Sequence, residues 1–261
     1  MKRTPISIDL SSIPAQFHSY FQDAAVFDSS CSPAARVYFL DKGPGYFLKT
    51  APKRALAKES AMNAFFHSKG LGTEVIAYET LDADWMLTLR IPGEDCTDPQ
   101  YTADPVRLCD TTAQLLRQLH ETDHTLCPVP NRTEEYLATA RHNWENKIYD
   151  ASLFPDNWGY TTAEEAWAEI EKNCKYLRTD TLLHGDYCLP NILLDKWNFS
   201  GFIDLDTGGV GDRHVDLFWG MWSLQFNLKT DRFRERFLDA YGREVINEDM
   251  FRTVAAVEVF G

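Results

Sequence analysis

A chain of 261 residues suffices for one large domain or two modest lobes, and 44% hydrophobic with 25% charged residues excludes disorder as its resting state. Lys and Arg total 26 against 39 Asp and Glu; the formal charge of -13 argues against nucleic acid or an anionic membrane surface as partner and favours a cationic one. The amino terminus lacks the apolar core of a secretion signal, no run approaches a membrane span, and Cys31, Cys96, Cys109, Cys127, Cys174 and Cys188 form no Cys-x-x-Cys pair, so the expectation is a cytoplasmic protein with reduced thiols.

In chain order, Ala35 to Leu40 and Tyr46 to Lys49 read as paired strands about the turn Asp41-Lys-Gly-Pro-Gly45. After Pro52, residues Ala57, Ala61, Ala64 and Phe65 recur at helical spacing until Gly70, and Glu74 to Glu79 and Trp85 to Leu89 read as two further strands. Pro92-Gly93 interrupts this β-β-α-β-β order, and Asp104 to Leu177 then looks helical. Asp104-Pro105 predicts an N-cap and first-turn proline ahead of the stripe Leu108, Thr112, Leu115, Leu116 and Leu119. Thr162-Ala-Glu-Glu165 predicts a capping box ahead of Ala166, Trp167, Ile170 and Leu177. Pro128 and Pro130 mark one loop, and Phe154-Pro155 to Gly159 another. Short strands return at Leu182-Leu183, Ile192 to Leu194 and Phe199 to Ile203, before a last helical stretch over Asp231 to Tyr241.

Polar residues are densest in Leu182-Leu-His-Gly-Asp-Tyr-Cys-Leu-Pro-Asn-Ile-Leu-Leu194 and in Ser200-Gly-Phe-Ile-Asp-Leu-Asp206. The flanking apolar segments place Asp186 and Asn191 on one irregular loop and Asp204 at the end of the next apolar strand. Phosphoryl transfer needs a carboxylate to accept the proton of the attacking hydroxyl, and hard oxygen ligands to hold Mg²⁺ on nucleotide phosphates. Asp186 suits the first role; Asn191 and Asp204 suit the second.

His184-Gly-Asp186 with Asn191 five residues on, followed by Ile203-Asp204, resembles the catalytic loop and metal-binding aspartate of the aminoglycoside phosphotransferase and choline kinase group. The resemblance covers nearly the whole chain and implies an α+β, protein-kinase-like two-lobe fold: an antiparallel sheet lobe with one main helix over residues 1–91 and a larger, mostly helical catalytic and acceptor-binding lobe over 92–261. It also implies ATP or GTP as donor and Mg²⁺ as cofactor. Lys49, ending an apolar strand, would meet the α- and β-phosphates, oriented by Glu59 of the following helix. Ser29-Ser-Cys-Ser-Pro-Ala-Ala-Arg36 resembles the phosphate-covering loop, with Ser30 and Ser32 as candidates, and Thr88, Leu89, Arg90 and Ile91 would offer backbone groups to adenine. Asp212 and Asp216 would brace the catalytic loop and His184 would support it by hydrogen bonding. His120, His124, His142 and His214 show no metal-ligand spacing and read as structural or surface groups.

Within that group the chain is most similar to the aminoglycoside 3′-phosphotransferases, through Leu119-His120, Cys127-Pro128, Phe199-Ser-Gly-Phe-Ile-Asp204, Gly211-Asp-Arg213 with Asp216, and the terminal Val257-Glu-Val-Phe260. This implies antibiotic resistance as a role, a cationic hydroxylated acceptor, and Glu258 and Phe260 at the acceptor. Nine acids against three arginines between Pro92 and Glu135 supply an independent attraction for such a polycation. Two departures stand near the expected acceptor pocket: Asp206-Thr207 where the family has Gly-Arg, and Trp222-Ser223 where it has Arg-Asp. They leave choline, an amino sugar or an amino alcohol as alternative acceptors, and a nucleotide-binding protein without turnover as a further alternative.

Overall fold

Alternation of apolar and polar residues, broken by turns, builds the first third of the chain into a six-stranded sheet. The computed structural model describes residues 3–149 and 159–261. It divides into two compact units, Met1–Cys96 with Pro190–Asp206 and Thr97–Leu189 with Thr207–Gly261.

In the first unit the strands are β1 (Thr4–Pro5), β2 (Ala25–Asp28), β3 (Arg36–Asp41), β4 (Tyr46–Pro52), β5 (Val75–Thr80) and β6 (Ala83–Leu89), ordered β1-β2-β3-β4-β6-β5 and paired antiparallel throughout. The predicted strand pair is present, with Tyr38 opposite Leu48 and Leu48 opposite Leu87. Tyr38, Leu40, Leu48 and Leu87 face one cluster, covered by Ile13 and Phe17 of the amino-terminal segment and by Phe21 of the short helix α1 (His18–Phe21). β1 and β2 lie outside the expected β-β-α-β-β order: runs of two and four residues are too short to show a period of two.

The helix α2 (Ala57–Ser68) follows β4 as expected, and its first turn has no cap of its own. The cap comes from β6 instead: Leu56 N–H donates to the buried Asp84 Oδ2 at 2.9 Å, and Tyr78 O–H donates to the same oxygen at 2.9 Å. Glu59 therefore starts from a fixed point three residues earlier, and its carboxylate sits in the first turn, where the helix dipole favours it.

The first unit also takes in β7 (Glu94–Asp95), β9 (Ile192–Asp195) and β10 (Asn198–Phe202), a three-stranded sheet ordered β10-β9-β7. The sequence reading instead divides the chain once, after Ile91. The difference is physical: β7 pairs with β9, and Phe202 N–H donates to Leu71 O at 2.8 Å, which ties 190–206 to the first unit. Gly93 makes the β7 turn possible, with φ of +95° and an ideal Cβ only 2.1 Å from Leu194 O.

The second unit carries α3 (Pro99–Thr102), α4 (Pro105–His120), α5 (Arg132–Asn146), α6 (Ala163–Asn173), α7 (His214–Leu228), α8 (Arg234–Tyr241) and α9 (Glu248–Glu258), with β8 (Thr181–Leu183) antiparallel to β11 (Gly209–Gly211). Asp104 caps α4 by accepting from Arg107 N–H at 3.1 Å, and Leu108, Thr112, Leu115, Leu116 and Leu119 are all buried. Thr162 caps α6 by accepting from Glu165 N–H at 3.1 Å, while the Glu165 carboxylate reaches one residue further back, to Thr161 N–H. Apart from Gly159, the loop expected around Pro155 lies outside the described residues. Among the described residues, no helix is long and apolar enough to cross a membrane, and all six cysteines are free thiols.

Candidate active site

Lys49 lies inside the sheet, opposite Val37 on β3 and Met86 on β6, so its backbone is locked by both neighbours. Its Nζ donates to Glu59 Oε1 at 2.9 Å, to Glu59 Oε2 at 2.8 Å and to Asp204 Oδ1 at 3.1 Å. Burial works against the ammonium charge, but the two carboxylates outweigh it and hold the Lys49 pKa above its ordinary value. Burial raises the Glu59 pKa, with Lys49 opposing. The two acids differ in exposure, at 5% for the Glu59 side chain and 52% for Asp204. Asp204 follows β10 in the left-handed backbone region, φ +62°, a conformation that asparagine and aspartate tolerate better than other non-glycine residues. Ile203 N–H donates to Asn191 O at 3.1 Å, which sets Asn191 beside the Ile203-Asp204 segment. Both are oxygen donors of the kind Mg²⁺ takes, and Asp204 Oδ2 has no hydrogen-bond partner among the described residues.

Asp186 belongs to the second unit, and its loop is held from beneath. The fully buried Asp216 carboxylate accepts from His184 N–H at 2.7 Å, from Gly185 N–H at 2.7 Å and from His120 Nε2 at 3.2 Å. Burial lowers the His120 pKa, so the ring is neutral; with Nε2–H given to Asp216, its Nδ1 accepts from Tyr241 O–H at 2.8 Å. His184 supports the loop, its Nδ1 accepting from Asp186 N–H at 3.3 Å. Gly185 has φ of +88°, and an ideal Cβ there would lie 2.0 Å from Thr207 O, a carbonyl that Arg132 Nε also holds at 2.7 Å. The glycine of His-Gly-Asp is thus required by both space and backbone. Beyond Asp186, Leu189 N–H donates to Ser223 Oγ at 2.9 Å. Asp212 does not share this bracing: it accepts from Arg178 N–H at 2.7 Å and from His214 Nδ1 at 2.6 Å, and His214 Nε2 accepts from Asn247 N–H.

The serine loop connects β2 and β3. Ser30 Oγ accepts from Val37 N–H at 3.0 Å and Ser32 Oγ from Ala34 N–H at 3.1 Å, so both hydroxyls shape the loop itself. At the other candidate segment, Thr88 is paired on both sides, opposite Phe47 and Val75, Leu89 N–H donates to Glu74 O, Leu89 O accepts from Thr73 O–H, and Arg90 N–H donates to Gly45 O. Among the described residues, no hydrogen bond engages the Ile91 backbone amide.

Glu258 ends α9. Its Oε1 accepts from Tyr136 O–H at 2.6 Å and from Trp219 Nε1 at 3.1 Å. Although only part-buried, the carboxyl is surrounded by enough apolar bulk that burial raises its pKa to about 7, against the pull of those two donors. Phe260 is 1% exposed, ringed by Trp144, Tyr149 and Trp167 at centroid distances of 5.7, 5.4 and 5.9 Å. Its ring is committed to the core of the second unit, unlike the open acceptor contact expected from the terminal sequence.

A profile described as "Phosphotransferase enzyme family" matches residues 32–255. The chain belongs to this phosphotransferase family. It is 47% identical over 258 residues, 98% of each chain, to a "Probable aminoglycoside 3'-phosphotransferase" of Lactococcus lactis subsp. lactis. An "Aminoglycoside 3'-phosphotransferase" of Niallia circulans shares 30% over 224 residues, 84% of this chain and 85% of that one. Among solved structures, the aminoglycoside phosphotransferase APH(3'')-Id from Streptomyces rimosus superimposes with a TM-score of 0.78 at 22% identity, covering 98% and 100% of the two chains, which shows the shared fold.

Several residues that hold these segments in place within each unit escape sequence reasoning. Asp84 is separated from the helix it caps by two turns and a strand, so no local spacing reveals it. His120 and Ser223 are ordinary helix residues until the fold brings them to Asp216 and to the Leu189 amide. Trp219 and Tyr136 become ligands of Glu258 only through packing among α5, α7 and α9.

Proposed function

We propose that the chain transfers the γ-phosphoryl group of ATP or GTP to the 3′-hydroxyl of an aminoglycoside. The observation that carries the chemistry is Lys49 suspended between Glu59 and Asp204, a phosphate-binding cation beside a half-exposed carboxylate. The acceptor class rests on the relative matched over 98% of its length. In this reading Asp186 accepts the proton of the attacking hydroxyl as its oxygen bonds to the γ-phosphorus. The bond from that phosphorus to the bridging oxygen breaks, and the nucleoside diphosphate departs.

Lys49 already makes three hydrogen bonds, so a nucleotide phosphate replaces the exposed one, to Asp204, while Glu59 keeps the ammonium in place. Asp204 is then free to serve Mg²⁺ with Asn191; when bound, the ion neutralises phosphate charge. The 29–35 loop covers phosphates through its backbone amides, Ser30 and Ser32 acting by holding its shape. Of the four residues expected at adenine, Ile91 has the amide available to the base, with Thr88, Leu89 and Arg90 fixing that amide's position. Residues 1–91 serve the nucleotide and 92–261 the catalytic base and acceptor, with the metal ligands on the 190–206 segment. Glu258 draws the cationic acceptor, and Phe260 acts through Glu258, by holding the end of α9.

A coupled nucleotide-consumption assay with kanamycin, neomycin and a 3′-deoxy aminoglycoside, followed by NMR of the product, tests the reading. Turnover of the first two with phosphate on the 3′ position is expected; equal turnover of the 3′-deoxy compound overturns the assigned hydroxyl. Asp186→Asn should retain nucleotide binding while lowering kcat by roughly 10²–10⁴-fold, the usual range for loss of a positioned base.

A further inference from the structure

The face of α7 that carries Ser223 also carries Trp219, Trp222 and Phe226, at i, i+3 and i+7, with Ser223 at i+4. Resting on the reading of an aminoglycoside acceptor, we propose that Trp219, Trp222 and Phe226 form one wall of the acceptor site, against which a ring of a cationic amino sugar stacks.

The stripe is continuous. Trp219 and Trp222 meet edge to face at 5.4 Å, and Trp222 stacks on Phe226 at 5.0 Å with 9° between the ring planes. Its edges are defined by chemistry already described. Ser223 Oγ accepts from Leu189 N–H at 2.9 Å, three residues beyond Asp186. Trp219 Nε1 donates to Glu258 Oε1. The rings therefore run between the segment bearing the catalytic base and a carboxylate suited to an ammonium group.

Two further observations give the wall an occupant. Phe226 is 54% exposed and Trp219 and Trp222 are part-exposed, so contiguous apolar surface stays open on a helix whose His214, Val215, Asp216, Leu217, Met221 and Leu224 are buried. The chain's own Lys229 already places its ammonium over the Phe226 ring, 4.2 Å from the centroid, a cation–π contact at one end of the stripe. A sugar ring offers both an apolar C–H face for Trp222 and amines for the neighbouring carboxylate, whereas a purely polar partner leaves the rings unsatisfied. This assigns acceptor recognition to aromatic stacking on α7, beside Glu258.

The test compares the full-length wild type with Trp222→Ala, Trp222→Phe and Phe226→Ala, measuring kcat and KM for kanamycin and for ATP, kanamycin Kd by calorimetry, and the melting temperature. Trp222→Ala is expected to raise both KM and Kd for kanamycin about tenfold, within the range of a lost ring contact, with KM for ATP moved less than twofold. Trp222→Phe should recover most of that loss, and Phe226→Ala should show a smaller rise. Kanamycin KM and Kd within twofold of wild type in Trp222→Ala would overturn the wall, as would equal rises for kanamycin and ATP or a kcat loss that Trp222→Phe does not recover. A wild type that phosphorylates no aminoglycoside would instead overturn the underlying acceptor assignment, and the wall with it.

Discussion

Replacing Asp216 by asparagine changes one atom of a buried carboxylate that accepts three hydrogen bonds, and it tests whether the catalytic loop is positioned from beneath. The amide retains one acceptor oxygen. If that oxygen keeps the His184 and His120 donors, the new amine faces Gly185 N–H, now donor to donor. The change removes one charge-assisted bond, about 1.5–3 kcal/mol, and leaves a buried donor unsatisfied, about 1–3 kcal/mol. Together these give about 2.5–6 kcal/mol, a fall in Tm of roughly 5–24 °C for a chain of this size. Because the loss falls on the Gly185 peptide, adjacent to Asp186, kcat should fall at least tenfold while KM for ATP stays within twofold. Thermal denaturation and steady-state kinetics on the same preparation decide the matter. A Tm within 2 °C of wild type together with kcat within threefold would refute the idea that Asp216 sets the loop.

Gly185→Ala puts a methyl group into Thr207 O and into a left-handed backbone, so strain of about 2–5 kcal/mol is expected, read as lost stability and kcat, with Ala at the exposed turn residue Gly43 as the milder control. Glu59→Gln removes the buried partner of Lys49, leaving Asp204 its sole charged ligand; kcat/KM for ATP should fall about 10–100-fold, and an unchanged value would remove Glu59 from phosphate binding. Glu258 titrates near 7 in the folded chain, above its unfolded value. Its ionised form should therefore strengthen acceptor binding as pH rises from 6 to 8, a limb absent in Glu258→Gln. The sign for folding is opposite: a raised carboxyl pKa contributes stability fully present below the unfolded value and lost as pH rises through about 7, so wild type minus Glu258→Gln in Tm should decline over that range.

What the sequence discloses about this site follows from how local each feature is. The pair of strands before Lys49, the helix bearing Glu59, and the caps at Asp104 and Thr162 all express themselves within a few residues, as turns, spacing or side-chain oxygen acceptors. The His184-Gly-Asp186 segment is equally readable because Gly185 is demanded by its own backbone angle. Elements that depend on distant partners leave no such trace. α7 is apolar on nearly every side, with Val215, Leu217, Phe218, Trp219, Met221, Trp222 and Leu224 in ten residues, and a helix hydrophobic nearly all round has no amphipathic period to detect. β11 is a three-residue run of glycine and valine made into a strand solely by β8.

The end of the chain shows the same limit with a consequence for mechanism. Read linearly, Glu258 and Phe260 stand two residues apart on an apolar tail and look like a matched pair of acceptor contacts. In three dimensions they separate into different environments: Glu258 turns to Tyr136 and Trp219, while Phe260 is sealed by rings from α5, α6 and Tyr149, its carbonyl held by Asn143 Nδ2 at 2.6 Å. The rings that enclose it are supplied from residues 144 to 167, too far along the chain for any local pattern to announce. Removing the last residues would therefore take away a buried aromatic ring, worth about 3–5 kcal/mol of packing, together with a carboxylate. Loss of activity in such a truncation cannot by itself be read as loss of an acceptor contact. Only Glu258→Gln, which leaves the aromatic core whole, isolates the charge, and only the pH dependence of the acceptor KM ties that charge to binding.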